Sequence, residues 1–285
     1  MRLQNFWSRR GCLLALPYDM EKGAGTFNPA TFFGSLGEAP ARLAYLEPCR
    51  RPADGRYGAN PNRLGKYCQF QVLIKPPPAD ALGLYAASLK ALGFSPQKHD
   101  LRFFEDDWQS PTLGASGLGW EARLDGLEIT QITYFQQMAS VSLKPATLEI
   151  TYGLERLALY LQKKEDVYEL DWDETISYGD LYREAERQFS RYNFEEADPA
   201  VLRRHFEDAE TESLKLSRSG LYLPAYDGVI RASHAFNVAE ARGAFSVAER
   251  ARFIGRVRGM ARAAAEAYLK SKSKPEEDLA KTVPA

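Results

Sequence analysis

The chain of 285 residues carries 37 Lys and Arg against 38 Asp and Glu, and 45% of its residues are hydrophobic. This length fits one large domain or two ordinary ones, and the composition excludes collagen-like, disordered and disulfide-rich classes. A formal net charge of −1 shows no basic excess that would indicate a nucleic-acid partner. No Cys and His spacing predicts a metal site, and no apolar run is long enough for a signal or membrane segment. We therefore expect a cytoplasmic protein with no membrane partner.

Short alternating segments in the first half of the chain predict an antiparallel sheet. Polar and apolar residues nearly alternate over 69–74 and 129–135, and a further apolar run covers 43–46. Period-two alternation of β-branched and aromatic residues is typical of strands with one buried face. The stretch 48–61 between two of these strands is rich in Gly, Pro and Arg, and a loop of that length is unusual without a function.

Helical periodicity replaces the alternation near residue 150. Leu154, Leu157, Ala158 and Leu161 recur at the spacing of one helix face, and an earlier helix is predicted over 79–92. Four later segments are charge-dense and helical in pattern: 178–194, 199–216, 224–236 and 246–269.

These patterns predict an α+β protein with two domains. A sheet-based domain is expected over 1–162 and an all-helical domain over 163–270. The polar segment 271–285 is expected to be a flexible tail.

Charge is segregated along the chain despite the even total. Residues 42–75 hold seven basic and two acidic side chains, and residues 99–128 hold two basic and seven acidic ones. An arginine-rich loop suits a polyphosphate because guanidinium groups pair bidentately with phosphate oxygens, whereas an acidic block suits an ammonium group or Mg²⁺. Solvated surface is the alternative for both. The Gly-rich segments match neither a P-loop nor a dinucleotide fingerprint.

Two segments within these regions resemble motifs of class II aminoacyl-tRNA synthetases. Residues 47–75 resemble motif 2, and residues 149–156 resemble motif 3, in which an arginine opens a helix after a strand. Four shorter strings are similar to the α subunit of bacterial heterotetrameric (α2β2) glycyl-tRNA synthetase: 23–26, 104–108, 117–121 and 133–137. The resemblance implies a class II antiparallel catalytic sheet flanked by helices, followed by the helical domain.

The resemblance also implies a reaction and partners. The chain is expected to activate glycine with ATP and Mg²⁺ to glycyl-adenylate and to charge tRNA(Gly), as the catalytic subunit of glycine–tRNA ligase. A homodimer of α within α2β2, with a β subunit that makes most tRNA contacts, is implied as well. Motif 1, which supplies dimer contacts, is expected around 26–29 and the helix after it. The alternatives are a class II-like adenylate-forming amide ligase and a non-catalytic class II paralogue that acts as a regulatory or binding module.

The resemblance assigns the arginines of motif 2 to ATP. Arg50 or Arg51 is expected at the α-phosphate, and Arg63 and Arg56 at the outer phosphates. Because neighbours on a strand face opposite ways, only one of the adjacent pair can point into the site. The other is expected to pair with an acid such as Glu47.

Motif 3 and the aromatic residues of motif 2 complete the expected ATP site. Arg156 is expected to cover adenine or reach the γ-phosphate, and Glu149 is expected to bind Mg²⁺ bridging the phosphates. Either Tyr67 or Phe70 is expected to stack on adenine, and a core aromatic is the alternative for Phe70.

The glycine pocket must hold an ammonium group and exclude larger side chains. Polar residues of one strand are expected to take the amine: Glu128, Gln131, Thr133 and Gln136. Trp120 or Phe135 is expected to fill the space that a β-carbon would need. Packing in the core or on the sheet is the alternative for each of these residues.

Overall fold

The computed structural model describes residues 1–95 and 97–273, and its central element is a seven-stranded sheet. The strands lie in the order β1-β2-β3-β7-β6-β5-β4, and neighbours are antiparallel except for the parallel pair β1 and β2. The strands are β1 Leu13–Leu14, β2 Ala41–Arg50, β3 Lys66–Lys75, β4 Leu101–Ser110, β5 Ala115–Leu124, β6 Leu127–Met138 and β7 Val141–Gly153.

Eight α-helices occur in the described residues. Five of them follow the last strand, and the four after α4 form a predominantly helical region. The helices are α1 Arg2–Ser8, α2 Pro29–Ser35, α3 Ala81–Leu92, α4 Leu154–Gln162, α5 Tyr178–Arg191, α6 Pro199–Arg218, α7 Tyr222–Ala241 and α8 Val247–Lys272. The predicted α+β class, with antiparallel strands followed by helices, is confirmed. None of the described helices combines the length and the apolar character needed to cross a membrane.

Local sequence explains where several of these helices begin. α8 starts with a capping box in which Ser246 and Glu249 bond to each other's backbone N–H groups. α2 starts at Asn28, whose side chain accepts from the N–H of Ala30 at 2.8 Å, and Pro29 occupies the first helical position.

The central strand β3 is buried on both faces, which differs from the predicted single buried face. Every residue from 69 to 75 is buried. One face of the sheet packs against α1, α3 and α4 through residues such as Val72 and Ile150. The other face and the ends of β5 and β6 face α2 and the C-terminal helices, so helices cover both sides.

The sheet and the C-terminal helices share one hydrophobic core. Phe32 of α2 stacks on Tyr226 of α7 with ring centroids 4.1 Å apart, and the Tyr226 hydroxyl donates to the Phe27 carbonyl at 3.1 Å. Phe135 of β6 and Phe253 of α8 belong to the same buried cluster. The division into two domains at residue 162 therefore stays a prediction. Of the predicted tail over 271–285, the structure describes only residues 271–273, and α8 continues to Lys272.

Most of the segment expected to carry motif 1 is buried within the fold. Thr26, Phe32 and Phe33 are all buried, and α2 packs under α7. The aromatic residues of this segment fill the core between the sheet and the helices, while Pro29, Ala30 and Gly34 stay partly exposed. Its placement as motif 1 stays a prediction.

Candidate active site

A cleft of about 550 Å³ opens where β2, β3, β6 and β7 meet the beginning of α4. It draws its walls from segments that are far apart in the sequence, including the loop after β2 and the segment before α2. Six residues of the predicted site line it: Arg51, Arg63, Tyr67, Glu128, Gln131 and Arg156.

Arg51 follows directly after β2 and extends into the cleft. Its Nε donates to the Gly23 carbonyl at 3.0 Å, and its guanidinium lies 5.1 Å from the centre of the Tyr67 ring. The Tyr67 hydroxyl donates to the same carbonyl at 3.0 Å. One carbonyl group therefore orients both a cation and an aromatic ring in the wall of the cleft.

Arg50 points away from that cleft, as alternation along the strand requires. It forms an ion pair with Glu21 at 3.1 Å, and its guanidinium lies 4.6 Å from the centre of the Phe189 ring, beside a separate cavity. The expectation that the outward arginine pairs with Glu47 was wrong, because Glu47 forms a buried ion pair with Lys22.

The other two arginines of the loop differ in position. Arg63 lines the cleft and forms an ion pair with Asp54 at 2.9 Å. The Arg56 guanidinium donates to the carbonyls of Ala53 and Gly55, at 3.1 and 2.6 Å, and does not line the cleft. In this arrangement Arg56 shapes the loop backbone and makes no contact with the cleft.

Arg156 lies in the first turn of α4 and reaches back to β6. It donates to the carbonyl of Glu128 at 2.8 Å and to its carboxylate at 3.1 Å. A cation at a helix N-terminus opposes the helix dipole, so helix stability does not account for an arginine at this position. The pair is about a third exposed and faces the cleft.

Glu149, the predicted magnesium ligand, lies beneath the cleft. It is 1% exposed, and it accepts hydrogen bonds from the Thr26 hydroxyl at 2.8 Å and from the Gln71 amide. Burial raises the pKa of Glu149 to about 8, although these hydrogen bonds lower it. Glu149 is thus enclosed beneath the cleft, held by Thr26 and Gln71, and its role as a magnesium ligand stays a prediction.

No group of three or more His, Cys, Asp or Glu in the part of the chain that the structure describes could hold a metal ion. Magnesium bound together with ATP usually needs only one or two protein carboxylates beside the phosphates, so a magnesium role for the cleft stays a prediction.

The predicted adenine and glycine residues divide between the two faces of the sheet. Phe70 is 3% exposed and packs edge-on against Tyr152, so Tyr67 is the one of the two aromatic candidates that lies at the cleft. Trp120 pairs in register with Ile132 and packs against Tyr134, on the face opposite the cleft. Phe70 and Trp120 therefore do not line the cleft, because their strand positions turn them into the opposite core.

Three further residues predicted for glycine also lie away from the cleft surface. Thr133 and Phe135 are fully buried, the former below the cleft and the latter in the shared core. Gln136 is exposed beside the β-bulge between Phe135 and Gln137. The bulge breaks the alternation that the prediction assumed.

Sequence reasoning missed three residues beside the cleft. Trp108 lines it and packs against Phe135 at 5.3 Å, while Asp106 accepts from the Gln131 amide at 3.0 Å. Asp106 and Trp108 are two residues apart in β4 and therefore lie on one face, and this spacing could be recognised in the sequence. Glu155, the third, also lines the cleft.

Glu155 is the second buried acid of the site. It accepts from the Cys68 N–H at 2.8 Å and from the Tyr178 hydroxyl at 3.2 Å. Burial raises the pKa of Glu155 to about 7, against the opposing effect of hydrogen bonds to the carboxylate.

The family model for the glycyl-tRNA synthetase alpha subunit matches residues 1–273. A pyrrolysyl-tRNA synthetase structure from Desulfitobacterium hafniense is 12% identical, covers 62% of this chain and 73% of its own, and has a TM-score of 0.44. A second structure from that organism, PylSc, a pyrrolysyl tRNA synthetase, is 10% identical with coverages of 62% and 72% and a TM-score of 0.42. The chain belongs to the glycyl-tRNA synthetase α-subunit family.

Proposed function

We propose that the cleft binds ATP and glycine and that Arg51, Arg63 and Arg156 carry the formation of glycyl-adenylate. The family acts in glycine–tRNA ligation, with ATP and glycine as substrates and with tRNA and a β subunit as partners. Membership favours tRNA charging over the amide-ligase and non-catalytic alternatives. The observation that carries the residue assignment is the convergence of three arginines from distant segments on one cleft.

The chemistry requires positioning and fixed positive charge. A carboxylate oxygen of glycine attacks the α-phosphorus, the bond from that phosphorus to the bridging oxygen breaks, and pyrophosphate leaves. Negative charge on the phosphate oxygens rises in the transition state, so preoriented guanidinium groups lower the barrier. Arg51 suits the α-phosphate because the Gly23 carbonyl and the Tyr67 ring hold it, whereas Arg63 and Arg156 suit the outer phosphates and adenine.

For the amino acid we place the ammonium group near Gln131. Asp106 fixes the amide of Gln131, and Trp108 stands on the same face. Gly117 and Gly119 pair with Trp108 and Asp106 across β4 and β5, so this face has no β5 side chain there. A space bounded by a tryptophan and two glycines suits glycine and sterically excludes amino acids with larger side chains.

The remaining assignments follow from the family. Mg²⁺ would accompany the ATP phosphates and neutralise their charge, and no step is assigned to it. We also propose that the chain works in the cytoplasm, as a homodimer within an α2β2 assembly.

Glycine-dependent ATP–pyrophosphate exchange by the chain together with its β subunit tests the proposal. Arg51→Ala and Arg156→Ala are expected to lower kcat/KM by about 100-fold or more, because each removes charge stabilisation from the transition state. Arg50→Ala is the matched control, since it removes an adjacent arginine outside the cleft, and it is expected to retain activity. Absence of glycine-dependent exchange with folded subunits would contradict the proposed function.

A further inference from the structure

Residues 18–25 form a strap that connects the sheet with α7 along the wall of the cleft. At one end the Tyr18 hydroxyl donates to Asp227 of α7 at 2.5 Å. At the other end the Gly25 N–H donates to Gln69 of β3 at 2.8 Å. The proposed reaction uses only the Gly23 carbonyl of the strap, and two glycines of the strap belong to a string that resembles the synthetase α subunit.

An ammonium group lies inside this strap. The Nζ of Lys22 donates to the carbonyls of Tyr18 and Met20, at 2.7 and 2.8 Å, and forms an ion pair with Glu47 of β2. The side chains of Lys22 and Glu47 are both completely buried. All three N–H groups of the ammonium therefore have acceptors, which a buried cation requires.

The carboxylate of Glu47 joins three parts of the fold. Besides Lys22 it accepts from the Asn28 amide at 2.6 Å and from the Tyr18 N–H at 3.2 Å. Asn28 is also the N-cap of α2. Burial raises the pKa of Glu47, and the hydrogen bonds from Lys22 and Asn28 lower it.

The backbone carbonyls of Lys22 and Gly23 accept hydrogen bonds from residues in and beside the cleft. The carbonyl of Gly23 accepts from Arg51 and from the Tyr67 hydroxyl, both at 3.0 Å, and the Lys22 carbonyl accepts from the Arg50 N–H at 2.8 Å. A shift of the strap would therefore move the acceptor that orients both cleft groups.

We infer that the Lys22–Glu47 ion pair is a positioning device for the ATP site. It holds the strap in the one arrangement that satisfies the ammonium, and it thereby fixes the Gly23 carbonyl and, through it, Arg51 and Tyr67. An apolar pair of similar size could fill the same space but would leave the Tyr18 and Met20 carbonyls without this donor. The inference rests on the proposed role of Arg51 in binding ATP.

The double variant Lys22→Met/Glu47→Gln separates positioning from stability. It removes both charges at similar volume, and replacing a buried ion pair with neutral groups often leaves stability unchanged. In pyrophosphate exchange with the β subunit, kcat/KM for ATP is expected to fall about tenfold, because the phosphate arginine is no longer held in place. The KM for glycine is expected to change less than about twofold, because the amide of Gln131 donates to Asp106 and Thr133 and not to the strap.

Arg256→Met is the matched control, because it breaks the Arg256–Glu210 pair between α8 and α6 without touching the cleft. It is expected to leave both kinetic parameters unchanged. If the double variant does not fold, Lys22→Met alone decides, because burial raises the pKa of Glu47 and a proton on this carboxyl leaves no buried charge. The same split between ATP and glycine is expected, with a smaller loss of about threefold.

An unchanged kcat/KM for ATP in the folded variant would overturn the inference, and so would parallel losses for ATP and glycine. Failure of the proposed function gives a different pattern. In that case the wild-type chain shows no glycine-dependent exchange, or Arg51→Ala leaves it intact.

Discussion

The carboxyl group of Glu149 is enclosed under the cleft, and its pKa of about 8 links stability to pH. The folded chain holds a proton on this group that the unfolded chain, with an ordinary glutamate, releases above pH 4.5. The free energy of unfolding therefore falls as the pH rises from 4.5 towards 8 and levels off above that value.

Glu149→Gln should remove this dependence, because an amide imitates the protonated acid and keeps an oxygen for the Thr26 hydroxyl. The variant is expected to gain stability relative to the wild type as the pH rises from about 5 to about 8, by at most about 1.4 kcal/mol per pH unit. Urea denaturation of both proteins across this range measures the difference. A difference that stays constant with pH would contradict the assignment.

Substitution of two tryptophans on opposite faces of the sheet distinguishes an effect on amino-acid selectivity from an effect on packing. Trp108→Ala opens the proposed glycine space and is expected to raise alanine-dependent exchange relative to glycine by about tenfold. Trp120→Ala is expected to leave selectivity unchanged and to lower the free energy of unfolding by about 3 kcal/mol, since it leaves a void beside Tyr134. Exchange assays with both amino acids and denaturation measurements check the pair. Loss of selectivity in the Trp120 variant alone would reverse the assignment of the faces.

The sequence indicated which types of residue form the proposed site better than it indicated where they lie. The resemblance to the class II motifs indicated Arg63, Arg156 and one of the pair Arg50 and Arg51, and the charge of residues 42–75 agreed with a polyphosphate. They could not indicate which sheet face Trp120 occupies, since alternation assigns two faces and does not say which one borders a cleft. The bulges of β5 and β6 shift the register further, and only the pairing of the strands reveals them.

At the scale of elements, β5 lies unusually close to β6. A Cβ added to Gly119 would lie 1.9 Å from the Ile132 carbonyl oxygen, whereas one added to Gly255 on the exposed side of α8 would meet nothing within 4 Å. Gly119→Ala is therefore expected to lower the free energy of unfolding by about 2–3 kcal/mol. Gly255→Ala, the control, is expected to raise it by about 0.5–1 kcal/mol through helix propensity.

Thermal or urea denaturation of the two alanine variants shows whether each change raises or lowers the free energy of unfolding. Equal effects of the same sign would show that the close approach of the strands does not constrain this position.

Helix and strand types followed from local patterns, but the strap did not. The Ser246 capping box and the periodicity of α4 depend on residues that are near one another in sequence, so both could be predicted. The conformation of residues 18–25 depends on Glu47 in another strand and on Asp227 in α7. Such partners become visible only once the strands and helices are assembled.

At the scale of the whole molecule, the core continues from the sheet into the C-terminal helices. Phe32 and Phe33 of the first half contact Tyr226 of the second, and Phe135 and Phe253 belong to the same buried cluster. Removing the helices would expose these side chains as an apolar patch, which soluble proteins seldom tolerate. We therefore expect the sheet and the C-terminal helices to unfold as one cooperative unit, although the type of secondary structure changes near residue 162.

A fragment of residues 1–162 is accordingly expected to lack fixed tertiary structure and to bind a hydrophobic dye, whereas the full chain unfolds in one transition. Near-ultraviolet circular dichroism of the fragment tests the first expectation. Coincident urea transitions by tryptophan fluorescence and far-ultraviolet circular dichroism test the second. A chain ending at Ser273 is the control, because it keeps every helix of the shared core. A soluble fragment with native-like near-ultraviolet signal, or two separate transitions in the full chain, would mean that the sheet and the helices fold independently.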